Sequence, residues 1–394
     1  MKTNQLILAA ALVALAACTK ENVDFNANAL DNEIGFTAVA KKATKANDAI
    51  IDGATYATGN TFQVWGWQSQ AGTFAEFSEG AASNFMSNLT IEWTKGSDNT
   101  RAEAWRNAEH YYYWPFTGKI SFLAIHPSTI IPDLLAGENP ALTTGWDATN
   151  KLAKATVNDY TISATNKTTD LMFAEKTGSR NASDLDASGN LGLVFKHALS
   201  QIVVKAKTND NYSADVQFDL ESVQFNNIDL SGDLAYANEA FTWSDNTTQT
   251  ANWMYFNTVK TDIRNTYTDA ADYIYGAAIL MVPQPANIKA GELESTDPKY
   301  VEGDLTETTL TIGYSMQQKP LANNAKISGT VTIPAPWTKV KEGSTDYSPA
   351  QAISGWEAGK KYVYTLNFKL NEILFNPEVT NWVEVEMDTI DIIG

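Results

Sequence analysis

The residue pattern predicts an all-β protein built from β-sandwiches. Three observations carry that expectation: short runs in which polar and apolar side chains alternate, loops between them rich in Gly, Asn, Asp, Ser and Thr, and no stretch sustaining a 3.6-residue period over three turns. Many short strands separated by turn signals favour sandwiches over a parallel sheet with crossover helices. With 394 residues, 44% of them apolar and 11% aromatic, the chain can build one or two large cores, and its length suggests two domains.

The first element is a leader. Lys2 supplies a positive start, Leu6 to Ala17 supplies twelve apolar residues without charge, and Leu15-Ala16-Ala17-Cys18 ends the run on the only cysteine of the chain. That is the anatomy of a secretory signal peptide over residues 1–17. The run falls short of the roughly 20 residues that span a bilayer core. The four residues ending at Cys18 resemble a bacterial lipobox, which implies cleavage between Ala17 and Cys18 and acylation (palmitate) of the Cys18 sulfur. The plain alternative is a secreted protein with a stray thiol at the cleavage site, an uncommon usage.

Residues 18–33 follow as a polar tether without apolar periodicity. Ile34 to Val39 is the first strand candidate, and Lys41, Lys42 and Lys45 then cluster among small residues. An exposed loop of this composition suits a trypsin-like protease, with a solvated linker as the bland alternative. Alternation returns at Thr61–Trp67, Ile120–Ile125, Leu191–Phe195, Ile202–Ala206, Val216–Leu220, Thr309–Ile312, Ile327–Ile333 and Tyr362–Phe368. Each reads as a strand with one buried face. The polar loop Thr177–Asn190 is the best boundary, dividing the chain into domains at 34–187 and 188–394.

Charge and cysteine usage narrow the function. The formal charge of −18 becomes −19 once Lys2 leaves with the leader. Such an envelope repels phosphate backbones, so nucleic acid is excluded as a partner, and a basic membrane-binding face is disfavoured. Acylated Cys18 leaves no thiol for disulfides or metal ligation, so the folded part relies on burial.

Catalytic signals are sparse. His110, His126 and His197 are the only imidazoles, none has a metal-ligand partner at i+2 or i+4, and no HExxH, EF-hand or phosphate-loop pattern occurs. They read as structural histidines at strand ends. No cofactor and no metal are expected. Facing carboxylates for glycoside hydrolysis exist only in space, and the sequence offers them no specific support. Among the tryptophans, Trp65 and Trp67 belong in a core, whereas Trp146, Trp337 and Trp356 lie in loop-like contexts and are the candidates for stacking on a glycan.

Several blocks together resemble the fimbrillin superfamily, the FimA-like and Mfa-like subunits of Bacteroidales donor-strand pili. Tyr112-Tyr113-Trp114-Pro115 followed by Ile120 to Pro127 is similar to the family's YYWP and LSFFAYYP stretch, Asp170 to Ala174 to its DLLxA, and Val194 to Ile202 to its LxFxHALSKI. Met281 to Pro285, Trp356 to Tyr364 and Asn376 to Trp382 match its later blocks in the same order.

The resemblance implies two tandem transthyretin-like β-sandwich domains of Ig-like topology class and export to the cell surface as an outer-membrane lipoprotein precursor. It implies cleavage in an early loop, here after Lys42 or Lys45, removing the tether and the first strand with Ile34, Phe36 and Val39. A neighbouring fimbrial subunit would fill the groove by strand addition, using a segment like the one bearing Val383, Val385, Met387, Ile390 and Ile392. The family's best-studied cut follows arginine, whereas this loop holds only lysines before Arg101. The segment after Trp382 reads either as a donor or as the domain's own last strand; the second case makes the protein a tip or accessory subunit, or an uncut anchor. The main expectation is therefore a structural and adhesive fimbrial subunit without catalysis. The alternative is a glycan-binding surface lipoprotein of a nutrient-capture system. The receptor is not readable in either case.

Overall fold

The computed structural model of the chain describes residues 32–40, 56–68, 83–97, 102–116, 118–147, 151–208, 216–247, 251–256, 278–285, 309–318, 327–334, 355–369 and 372–381. The strands are β1 Phe36–Ala40, β2 Phe62–Gln68, β3 Ser83–Thr94, β4 Ala104–Arg106, β5 Ile120–His126, β6 Leu142–Asp147 and β7 Leu152–Thr161. They continue as β8 Met172–Gly178, β9 Leu191–His197, β10 Ser200–Thr208, β11 Val216–Ile228, β12 Ser231–Ala237, β13 Ala240–Thr247 and β14 Ala251–Phe256. The last are β15 Ile279–Met281, β16 Gln284–Pro285, β17 Thr309–Gln318, β18 Ile327–Pro334, β19 Gly355–Trp356, β20 Lys360–Lys369 and β21 Glu372–Asn381. The described helical residues beyond position 33 are a 3-10 turn at Ser128–Ile130 and one α-helical turn, α1, at Ile131–Leu134. The fold is all-β.

Strands β1-β4-β3-β2-β5-β8-β9 form a closed barrel in that order. Its pairs are antiparallel except the closing one, β1 with β9, which is parallel. The remaining strands make sheets β13-β12-β7-β6, β15-β10-β20-β21 and β14-β11-β17-β18, with a short β16-β19 pair. Each alternating run of the sequence falls on one of these strands, with only Thr61 of the first lying outside, just ahead of β2.

Two apolar clusters organise them. Phe62, Val64, Ile120, Phe122, Ala124, Met172 and Ala174 fill the barrel together with Phe36 and Phe195. Trp65, Trp67, Leu123, Ile125 and Phe173, from the same strands but the opposite parity, join a second cluster that runs through β6, β7, β10 and β12 to Trp356, Tyr362 and Tyr364. β2 and β5 are therefore buried on both faces, which corrects the one-faced reading. The polar residues that gave β2 and β5 their alternation, Gln63 and Ser121, are themselves buried.

Strand pairing does not follow a division between residues 187 and 188. β9 lies beyond it yet pairs with β1 and β8, and β7, which precedes it, pairs with β12. The polar loop at 177–190 is the connection between two paired strands of the barrel, so its composition marks a turn within a unit.

Candidate functional site

The segment of most functional interest is β1 with the three residues before it. Its backbone is held on both sides. Phe36 to Ala40 pair in parallel with Leu191 to Phe195, Phe36 also pairs with Trp105 of β4, and the Leu191 amide donates to the Gly35 carbonyl at 2.8 Å. Just upstream, the Ile34 amide donates to Tyr112 and the Trp114 amide to Asn32, each at 2.7 Å. Without this segment the barrel loses its closing pair, and β9 and β4 present unpaired backbone groups.

Its side chains alternate as a strand requires. Ile34, Phe36, Ala38 and Ala40 are buried, and the Phe36 ring meets Phe62 and Phe122 edge-to-face at 6.3 and 5.2 Å. Full burial of a side chain such as Ile34 or Phe36 contributes about 1.5–3 kcal/mol. Val39 lies in β1 but is 42% exposed, and Ala38 and Ala40 take the inward positions. Thr37 points outward and its hydroxyl donates to Asp186 at 2.6 Å. Partial burial pushes the Asp186 carboxyl up, but hydrogen bonds from Thr37, Asn190, Ser188 and Gly189 prevail and hold it below the usual range.

Glu33 carries the charge of this segment. Its carboxylate lies 3.5 Å from Arg106 Nε on β4, and the side chains are 1% and 3% exposed. Ser97 donates to Glu33 through both its amide and its hydroxyl at 3.1 Å. Arg106 Nη1 donates to the carbonyls of Thr94 and Ala102 at 3.2 and 3.1 Å, fixing the guanidinium. Between Glu33 and Phe36, Gly35 passes so closely that a Cβ there would lie 2.3 Å from Asn190 Oδ1 and 3.2 Å from Arg106 Nε. Sequence reasoning placed Glu33 in the polar tether and missed Arg106. The only local signal was a carboxylate directly ahead of an apolar run.

The histidines take structural positions. His126 Nδ1 contacts the Tyr56 hydroxyl at 2.5 Å and the Thr61 carbonyl at 3.1 Å. Burial lowers its pKa to about 4, outweighing the nearby negative charge of Asp170. His197 Nδ1 donates to both oxygens of Asp170 at 2.9 Å, with both side chains buried. His110 is exposed and its amide is capped by Asn107. Among the described residues no group of three or more His, Cys, Asp or Glu side chains is placed to hold a metal ion.

Two of the glycan candidates are core residues. Trp146 sits in β6, 2% exposed, and shares the buried face with Leu142. Trp356, also 2% exposed, lies edge-to-face with Phe225 at 5.6 Å and donates its indole N–H to Tyr364 at 2.7 Å. Threonine and glycine around Trp146 hid a strand whose apolar residues lie four apart, the same face of a pleat. Trp337, Ala17, Cys18, Lys42, Lys45, Val383, Val385, Met387, Ile390 and Ile392 lie outside the described residues.

Residues 42–382 match the fimbrillin-like family. Among solved structures, a fimbrial protein from Bacteroides vulgatus superposes with a TM-score of 0.55 at 16% identity, covering 89% of this chain and all (100%) of its own. At that identity the likeness speaks to fold. The tip fimbrial protein Mfa3 from Porphyromonas gingivalis, with a C-terminal truncation, aligns at 8% identity over 89% of this chain and 100% of its own, with a TM-score of 0.32. No curated protein matches the sequence. With the family match spanning most of the sequence, the chain belongs to the fimbrillin-like family.

Proposed function

We propose that this protein is a structural and adhesive fimbrial subunit of the cell surface, exported as a lipoprotein through Cys18 and assembled by strand replacement at the seat of β1. The observation that carries this reading is the position of β1. It closes the barrel, fills its interior with Phe36, and leads directly into the stretch that holds Lys41, Lys42 and Lys45. Cleavage after Lys42 or Lys45 would separate β1 covalently from the barrel while leaving every other strand in the chain. An open barrel edge with alternate apolar pockets is the kind of surface that an extended segment fills by β-augmentation.

The donor in this reading is the segment with Val383, Val385, Met387, Ile390 and Ile392 in a neighbouring subunit. Its support is that β21, Glu372–Asn381, pairs with β20 along its whole described length, ahead of that segment in the sequence. The finer architecture that goes with the reading is two tandem transthyretin-like sandwiches, the barrel being the first. The glycan alternative has lost two of its three aromatic candidates, because Trp146 and Trp356 are buried.

Limited digestion of the lipid-free chain with a lysine-specific protease tests the proposal, read by N-terminal sequencing and particle mass. A new N-terminus at Ala43 or Ala46 followed by growth of oligomers is the expected result. Cleavage there without any association, under conditions that release β1, would sink the strand-replacement part.

A further inference from the structure

We propose that Glu175 of β8, Lys196 of β9 and Glu239 of the β12–β13 turn form a pH-sensitive clasp, which grips the tip of that hairpin more firmly in mild acid than above neutrality. The turn is tight. Asn238 and Glu239 join the paired residues Ala237 and Ala240, and their φ angles of 51° and 58° are those a two-residue hairpin loop requires. The hairpin packs on the barrel beside this turn: Phe173 of β8 stacks on Tyr236 at 5.1 Å and meets Phe241 edge-to-face at 5.7 Å. Glu175 follows Phe173 by two positions in β8 and so shares its face.

The barrel holds Glu239 by both of its backbone groups. Lys196 Nζ donates to its carbonyl at 2.8 Å and to its carboxylate at 2.7 Å, while its amide donates to the Glu175 carboxyl. One cation therefore serves two carboxyl groups. Glu175 Oε2 is buried with no hydrogen-bond partner among the described residues. Burial and the Glu239 charge push the Glu175 carboxyl up to about 7, against the opposite pull of Lys196 and the Glu239 amide. The other groups around it are quiet in that range. Burial holds the Tyr236 hydroxyl far above it, and Leu123, the register partner of Glu175 on β5, is apolar. His197, next to Lys196, is turned to Asp170, and Lys154 of β7 pairs with Ala237 on the face opposite Tyr236. With the tip lifted, Glu175 returns toward the ordinary 4.5. Between 4.5 and about 7 the gripped form binds the extra proton, so the grip is full below that window and weakens as pH rises through it.

Hydrogen exchange over residues 236–243 of the full chain, corrected for the intrinsic pH dependence of exchange, tests the clasp. Protection is expected to fall at least about fivefold from about pH 5 to about pH 8, less than a fully buried carboxyl would give because Glu175 is only half-buried. Glu175→Gln keeps an acceptor for the Glu239 amide and cannot ionise, so its protection should change by less than about twofold over the same range. Lys196→Met removes the cation that favours the charged form, and should move the midpoint of the fall to higher pH. No fall in the native chain, or an equal fall in the Glu175→Gln chain, would overturn the proposal. Should the Glu175→Gln chain not fold, the Lys196→Met comparison decides alone, and an unmoved midpoint would overturn it.

Discussion

Glu33 and Arg106 face each other at 3.5 Å across the junction of the first segment and β4, with side chains 1% and 3% exposed. A buried ion pair of this kind adds little net stability over an apolar pair, yet losing one member is costly because the other stays buried. Glu33→Gln and Arg106→Met should each lower the unfolding free energy by about 3–5 kcal/mol, and the double variant by clearly less than their sum. Urea titration of the four chains measures this. Additive losses would mean that the two groups do not sense each other.

Phe36 and Val39 offer a contrast within one strand. Phe36 is 1% exposed among Phe62 and Phe122, whereas Val39 is 42% exposed. Phe36→Ala should cost about 3–5 kcal/mol through lost burial and a cavity, and Val39→Ala about 0.5 kcal/mol or less. Comparable losses at both positions would contradict the register with β9.

His126 sets an acid limit. Burial lowers its folded-state pKa to about 4 from the ordinary 6.5, so between those values the unfolded chain binds the extra proton. Its contribution to stability is present above about pH 6.5 and is lost as pH falls through about 4. His126→Gln should flatten that part of a stability-versus-pH profile from thermal or urea unfolding. A profile with unchanged slope in that window would remove His126 as the cause.

Trp146 and Trp356 should behave as core residues. Trp146→Ala and Trp356→Ala are each expected to destabilise by about 3–5 kcal/mol. Trp356→Phe, which keeps the ring but loses the N–H bond to Tyr364, should cost about 1 kcal/mol beyond the change in size. A chain of unchanged stability that selectively loses saccharide binding on either Trp→Ala change would restore the glycan reading.

The strands with clean alternation, such as Leu191–Phe195 and Tyr362–Phe368, were legible because every second residue is large and apolar. β6 and β12 were not, since Thr, Gly, Ser and Asp occupy much of each and their apolar residues are few. Within the candidate site, the first strand and its apolar character were legible. Glu33 was not, because a single carboxylate beside a polar tether looks solvated until Arg106, more than seventy positions later in the chain, is folded against it.

Residue order and composition are enough for the all-β class, the acidic envelope, the dependence on burial without disulfides, and the order of blocks that marks the family. Those properties are local or summed over composition, and they survive without knowing which strand meets which. Folding adds that β1 closes a barrel against β9, that Trp146 and Trp356 point inward, that Val39 points out, and that Glu33 meets Arg106. Each of these depends on pairing between distant segments. A one-residue change of register turns every side chain of a strand to the other face, so alternation predicts a strand long before it predicts which side is buried.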